Sequence, residues 1–331
     1  MQPDRPLLTI AIPTYNRAHF LERLLAVLMK QLLGESRVEL IISDNASCDA
    51  TSEVVTSFKN RGLAIRYIRN ETNVGADRNI LQCYQLAKGK YVWIFSDDDL
   101  IAPGTLDRVL RALSSKEYDL VCIRAYFFDG EYVGHRRFAP VADLEFTKPD
   151  ALARHVHVLF TFISGSIVNK ERLSSVAHAP FESLLDTNLI QLGLYYTALN
   201  HHRRSLLIRD PLIAATGNST VGYGIYRVFG SNLARITMEW VSEKPVQRAI
   251  INGTIRKFLP FWILATRRSR ESHPSEDAHQ ILQICFGYNF RYWIFDYPIY
   301  ALPLILAKIW LLGVRVINKA DNYFENALVR S

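Results

Sequence analysis

Three consecutive aspartates, Asp97, Asp98 and Asp99, directly follow the apolar run Tyr91-Val92-Trp93-Ile94-Phe95-Ser96. A β-branched and aromatic run of that length reads as a buried strand. Carboxylates packed side by side at its end repel one another unless a cation sits among them. Hard oxygen ligands suit a divalent ion that holds a phosphate, and the carboxyl end of an α/β strand is where such a ligand binds. The competing reading is an acidic turn that caps the helix beginning near Pro103.

Three earlier strand ends bear on that choice. Leu7 to Ile12 stops at Pro13-Thr14-Tyr15-Asn16-Arg17. Val38 to Ile42 stops at Ser43-Asp44-Asn45-Ala46-Ser47-Cys48-Asp49-Ala50-Thr51, and Ile65 to Ile68 leads into Asn73-Val74-Gly75-Ala76-Asp77-Arg78-Asn79. Singly, each is an ordinary loop, and Asp49 equally fits an N-cap. Together they offer Asp44 to a base or ribose hydroxyl, Gly75 to a close backbone approach and Arg78 to a phosphate. One composite site for a nucleotide diphosphate and its metal accounts for all four strand ends better than four coincidental loops do.

The elements that must position these ends alternate. Helical patterns run from His19 to Leu33, with Phe20, Leu21, Leu24, Leu25, Leu28 and Leu32 apolar, then from Thr51 to Phe58 and from Asp77 to Ala87. Another follows Pro103, with Leu106, Val109, Leu110 and Leu113 on one face, and Leu120 to Ile123 reads as a further strand. This rhythm predicts an α/β fold, a mostly parallel sheet flanked by helices on both faces. Beyond residue 125, Asp129-Gly130 predicts a hairpin turn between Tyr126-Phe127-Phe128 and Tyr132-Val133. Thr147 and Pro149 open a helix, Phe162 to Val168 is a strand, Leu184 to Leu199 a helix and Leu206 to Ile208 a short strand. The Gly-, Asn- and Ser-rich stretch Gly217 to Gly224 is the expected boundary. It separates residues 1–217 (nucleotide half 7–125, acceptor half 126–217) from a helical, aromatic and basic region, 218–331.

The 331 residues are 49% hydrophobic and 21% charged, enough for one large domain or two ordinary ones with a full core. A net charge of +7 favours anionic partners. Cys48, Cys83, Cys122 and Cys285 show neither metal spacing nor a disulfide framework, which suits a reducing cytoplasm. The first residues lack the apolar core of a secretory leader. His155 and His157, two apart, diverge around a helix and make a poor metal pair. His201-His202-Arg203-Arg204 reads as a solvated turn or a contact for an acceptor phosphate. Nucleic acid is a poor partner: no recognition motif is present, and the acidic triplet repels phosphate without a metal.

The segments Thr9 to Arg17, Ile42 to Ser47, Asn73-Val74-Gly75 and Phe95 to Asp99, in this order and spacing, resemble a family 2 glycosyltransferase of the GT-A fold. The resemblance covers about residues 7–200. Asp44-Asn45-Ala46-Ser47 and the triple aspartate are similar to abequosyltransferases and related enzymes of O-antigen and surface-polysaccharide assembly. The resemblance implies a donor site of Pro13, Thr14, Tyr15, Asn16, Arg17, Asp44, Asn45, Asn73, Gly75, Arg78 and Asp97, with Asp98 and Asp99 as ligands of Mg²⁺ or Mn²⁺. The family's Asp-x-Asp-Asp pattern fits in two registers. One puts Ser96 at the first aspartate, and the other takes Asp97-Asp98-Asp99 as the motif. Asp186 stands where the family's general base falls, although Leu185 breaks the usual Glu-Asp pair, and Glu182 is the alternative. The implied reaction is metal-dependent, inverting transfer of a sugar from a nucleotide-diphosphate donor to a lipid-linked saccharide. The rival is a protein that binds a nucleotide sugar without catalysis.

Pro298 to Ile317 is apolar over about the 30 Å of a bilayer core. Pro298 and Pro303 interrupt its start, and Lys308, Arg315, Lys319 and Asn322 share one helical face. That predicts an amphipathic helix lying at a membrane surface, with a buried helix or a true span as alternatives. Arg256, Lys257, Arg267, Arg268, Arg270, Trp262 and Trp293 add basic and interfacial residues. The expected location is cytoplasmic, peripheral at the inner face of the membrane. The oligomeric state leaves no mark on the sequence.

Overall fold

The computed structural model describes residues 5–128, 132, 136, 138–176, 180–216, 224–268 and 276–328, with backbone alone from 321 onward. The chain divides into two compact units: Met1–Lys148 with Phe160–Thr220, and Pro149–Leu159 with Val221–Ser331.

The first unit is built on one nine-stranded sheet. Its strands are β1 (Leu8–Thr14), β2 (Val38–Asp44), β3 (Ile65–Arg69), β4 (Tyr91–Ile94), β5 (Leu100–Ile101), β6 (Leu120–Phe128), β7 (Leu144–Phe146), β8 (Ser166–Asn169) and β9 (Ser205–Thr216). The order is β3-β2-β1-β4-β8-β6-β9-β5, with β7 also on β9. Strands β3, β2, β1 and β4 are parallel, as the alternation predicts. β8 then runs antiparallel to β4 and β6, and β6 pairs parallel with β9, so the far half is mixed. β1 lies between β2 and β4, where the strand order reverses and loops on the two sides part to leave a crevice. Register sets Thr14 beside Asp44 and Asp44 beside Arg69, so three strand ends finish level.

Helices α1 (Ala18–Leu32), α2 (Thr51–Asn60), α3 (Ala76–Leu86) and α4 (Thr105–Ser115) follow β1, β2, β3 and β5. α1 forms because Leu21, Leu24, Leu25, Leu28 and Leu32 fall on one stripe, all buried against the sheet. α4 does the same with Leu106, Val109, Leu110 and Leu113. Trp93 on β4 is fully buried, and its indole N–H donates to the Ser164 carbonyl at 2.7 Å, which satisfies its polar end.

Several expectations shift. Tyr126–Phe128 continues β6 and pairs with Ala214–Thr216, while the Asp129-Gly130 turn lies outside the described residues. The expected Phe162–Val168 strand opens as a 3-10 turn, Ile163–Gly165, before β8. β9 extends well beyond Leu206–Ile208, and register shifts around Arg124 accommodate Pro211, which has no N–H to give the ladder. After the short α6 (Lys170–Leu173), helix α7 is Gln191–Asn200. It begins later than the apolar pattern suggests because Asp186 and Asn188 adopt left-handed backbone, φ 61° and 60°. The expected boundary at 217–223 lies outside the described residues.

The described part of the second unit is helical: α5 (Pro149–Val156), α8 (Leu233–Trp240), α9 (Lys244–Gly253), α10 (Leu259–Arg268), α11 (Ala278–Phe286), α12 (Phe290–Phe295), α13 (Tyr297–Ala301) and α14 (Leu304–Leu328). Ile255, Leu259, Ile263, Leu282, Phe286, Tyr292 and Ile299 form its core, joined by Ala307, Leu311 and Val314 of α14. That inward seam leaves Ile305, Ile309, Leu312 and Val316 exposed on the opposite side of the helix. Among the described residues no helix is long and apolar enough to cross a membrane.

Asp296, between α12 and α13, is fully buried, and neither carboxyl oxygen has a hydrogen-bond partner among the described residues. Burial raises its pKa well above the ordinary range, which favours the protonated form. The folded chain therefore keeps a proton that the unfolded chain loses above about pH 4, and stability falls as pH rises through that window. Asp296→Asn should flatten this fall. The difference in thermal midpoint between variant and parent should grow in the variant's favour from pH 4 upward, as read by calorimetry across pH.

Candidate active site

The four strand ends are tied to one another by side chains. At the end of β1, Thr14 Oγ1 donates to Asp97 Oδ2 at 2.7 Å. Asn16 turns the chain with φ 53°, a conformation Asn tolerates. Its N–H donates to Ser47 Oγ (2.9 Å), and its Oδ1 accepts the Cys48 N–H (2.7 Å), joining the first loop to the second. Pro13 lies within β1, and Tyr15 stands exposed at the rim.

Asp44 at the end of β2 is wholly buried. Its Oδ1 accepts the Ser47 N–H at 2.8 Å, and its Oδ2 accepts the Tyr67 hydroxyl at 2.5 Å with Arg69 Nε 3.6 Å away. Burial and the Asp44 charge push the Tyr67 phenol upward, so it stays a donor. Asp44 thus holds its own loop to β3 through these partners. Asn45 ties the second loop to the third. Its Nδ2 donates to Asn73 Oδ1 (2.7 Å) and the Gly75 carbonyl (3.3 Å), and its Oδ1 accepts from Val74 N (2.9 Å) and Asn70 Nδ2 (3.1 Å). Asn73 Oδ1 also accepts the Gly75 N–H at 2.9 Å. Gly75, φ 89°, has open space where a Cβ would stand. Arg78 is exposed on the first turn of α3.

After β4 the three aspartates take different surroundings, all buried. Arg17 bridges two of them, with Nε 3.3 Å from Asp97 Oδ1 and Nη2 2.5 Å from Asp98 Oδ2. Ser96 Oγ donates to Asp98 Oδ1 at 2.6 Å, so Ser96 orients an aspartate in the register where it replaces one. Asp99 turns the other way, accepting Ser164 Oγ at 2.6 Å and the Thr216 N–H at 3.3 Å. Burial, resisted by Arg17 and helped by Asp98, lifts the Asp97 carboxyl to about 7. Burial and the neighbouring Asp98 charge also raise Asp99.

Among the described residues no three His, Cys, Asp or Glu side chains form a closed metal cage. Mg²⁺-type sites that act on phosphates need only one or two carboxylates, the remaining positions going to substrate oxygens and water. The donor set fits such an ion at Asp97 and Asp98, where a guanidinium now supplies the positive charge. Both Asp99 oxygens are held by neutral donors.

Asp186 and Glu182 are both exposed in the stretch before α7. Asp186 lies in a turn five residues ahead of that helix, not at its start. The His201–Arg204 turn opens β9, at the amino-terminal edge of the sheet and opposite the aspartates, where Asp119 Oδ2 accepts the N–H groups of Arg203 and Arg204. Four participants carried no recognised signal in the sequence: Tyr67, Arg69, Ser164 and Thr216. Arg69, the last residue of β3, follows the same strand-end rule as the others. Ser164 and Thr216 reach Asp99 from 65 and 117 positions away, with no local mark.

Residues 9–167 match the model of Glycosyl transferase family 2, so this chain carries a family 2 glycosyltransferase domain. The chain is similar to abequosyltransferase RfbV of Salmonella typhimurium, at 32% identity over 188 residues, 51% of this chain and 55% of that protein. It spans about half the length, or less, of the curated relatives it matches most strongly. Its fold is similar to that of Staphylococcus aureus TarS 1–349 in complex with UDP-GlcNAc (TM-score 0.56, 20% identity, covering 78% of this chain and 79% of that one). It is similar also to the mannosyltransferase PcManGT of Pyrobaculum calidifontis in complex with GDP-Man and Mn²⁺ (TM-score 0.56, 17% identity, covering 92% and 86%). The first unit is thus of the GT-A type, as the strand-end motifs imply.

Asn45→Ala removes four hydrogen bonds and leaves the Val74 N–H without its side-chain acceptor. Denaturant unfolding should show a loss on the order of 2–4 kcal/mol. Nucleotide-sugar affinity should fall further than this loss alone explains, because the Asn73–Gly75 loop loses its tether.

Proposed function

We propose that this chain transfers one sugar, with inversion, from a nucleotide-diphosphate donor to a saccharide acceptor carried on lipid. The observation that carries this reading is the linkage of four strand ends, β1 to β4, into one polar rim over buried carboxylates. In this reading Thr14, Tyr15 and Asn16 line the nucleoside side, backed by Asp44. Asn73 and the open Gly75 backbone flank the donor, and Arg78 is free to reach its diphosphate. Asp97 and Asp98 would hold Mg²⁺ or Mn²⁺, in preference to the expected pair Asp98 and Asp99. When bound there, the ion supplies positive charge that stabilises the departing nucleotide diphosphate. Arg17 holds the two carboxylates in place when the donor is absent. Asp186, or Glu182 beside it, accepts the proton of the acceptor hydroxyl as oxygen attacks the face of the sugar opposite the leaving group. The Mn²⁺ in the PcManGT complex and the UDP-sugar in the TarS complex support the same class of donor.

A lipid-linked acceptor is supported by the second unit. The outer face of α14 carries Ile305, Ile309, Leu312 and Val316, edged by exposed Lys308, Arg315 and Lys319. Nearby elements expose Ile284, Tyr288, Phe290, Trp293 and Ile294. Exposed apolar groups with a basic edge suit the interface of an anionic membrane. The abequosyltransferase relative supports an acceptor in surface-polysaccharide assembly.

A thermal-shift panel of nucleotide sugars, with and without Mn²⁺, tests the donor reading. A ligand at one hundred times its Kd should add about 2.7 kcal/mol of stability. Asp98→Asn should abolish the metal-dependent part of the shift and sugar transfer together. No metal-dependent shift with any nucleotide sugar would refute the metal reading, and a shift without transfer to any acceptor would favour the non-catalytic binder. For the membrane reading, parent protein should float with vesicles of anionic phospholipid, and Ile309→Glu with Val316→Glu should not. Equal flotation of both proteins would count against it.

A further inference from the structure

Asp77, the second residue of α3, is buried and faces the turn that carries the candidate base. Its Oδ2 accepts the backbone N–H groups of both Thr187 (2.9 Å) and Asn188 (3.0 Å). On either side of Thr187, Asp186 and Asn188 adopt left-handed backbone that non-glycine residues seldom hold. Such conformations persist only where surrounding contacts over-determine them, and they concentrate at functional sites. Here the contacts are the Asp77 carboxyl group, accepting two backbone amides, and Thr187 itself. Thr187 Oγ1 donates to the Leu184 carbonyl at 2.6 Å and accepts the Leu189 N–H at 3.2 Å. Asp77 lies two residues after Gly75, so one short segment carries both the loop assigned to the donor and the clamp on this turn.

We infer that Asp77 is a positioning residue for transfer: it fixes the Asp186 turn to the first turn of α3 and so sets the base at a constant place relative to the donor loop. The inference rests on reading Asp186 as the base. A carboxylate that only favoured the start of α3 would have no need of two amides 110 and 111 positions away. Misplacing a catalytic group by about 1 Å is enough to cost about 100-fold in rate.

The test compares Asp77→Ala, Asp77→Asn and Asp186→Ala in the full chain, using the nucleotide sugar that gives the largest thermal shift. Asp77→Ala should lower kcat about 100-fold with donor KM within about twofold. Asp77→Asn keeps a carbonyl acceptor and should recover most of the rate. Adding Asp77→Ala to Asp186→Ala should cost little more, because the two act through one group. If Asp77→Ala does not fold, Asp77→Ser, whose hydroxyl is too short to reach both amides, replaces it. Parent kcat in Asp77→Ala, or a loss shared equally by donor KM and kcat with no recovery in Asp77→Asn, overturns the inference. Full transfer by Asp186→Ala would instead overturn the base reading, whatever Asp77 does.

Discussion

Three adjacent carboxylates at the end of a buried strand cannot all remain ionised unless donors or a cation come to them, and the rim of the first unit is arranged around that demand. Arg17 from the end of β1 serves Asp97 and Asp98. Thr14 adds a hydroxyl to Asp97, Ser96 one to Asp98, and Ser164 one to Asp99. The contacts of Thr14, Arg17 and Ser164 draw other segments toward the end of β4. Electrostatic need thereby becomes geometry, and Asp97 and Asp98 are left as a pair that shares one guanidinium.

Around that centre, Asn and Asp side chains do the joining that regular structure does not. Asn16 and Asn45 each satisfy donors of a neighbouring loop, and Asp44 one of its own loop and one of β3, so the rim does not depend on long loops packing by apolar contact. Asp77 extends the same device to the turn before α7. Polar cross-links suit a site whose ligand is itself polar and charged, since apolar packing would leave no acceptors or donors to spare at the rim.

The second unit answers a different constraint. Among its described side chains, up to residue 320, α14 buries only the narrow seam of Ala307, Leu311 and Val314 and leaves most of the aliphatic ones in solvent. A contiguous exposed apolar surface with basic residues beside it is uncommon on a protein that meets only water. Asp296, buried in the same unit with no hydrogen-bond partner among the described residues, adds a polar cost that protonation reduces.

Much of this was legible in the residues alone. Apolar runs located β1 to β4, and the stripe of leucines located α1, because those patterns record which residues meet the core. Strand ends announced themselves through clusters of Asn, Asp, Gly and Arg. The sequence by itself therefore determined the α/β class, the family and the loops of the candidate site. Only the tertiary structure decided which aspartates share Arg17, which hydroxyl meets Asp99, that α7 starts after a left-handed turn and that Asp77 holds that turn. Those outcomes rest on hydrogen bonds between residues from a few dozen to more than a hundred positions apart, and no local periodicity encodes which distant donor a carboxylate will meet.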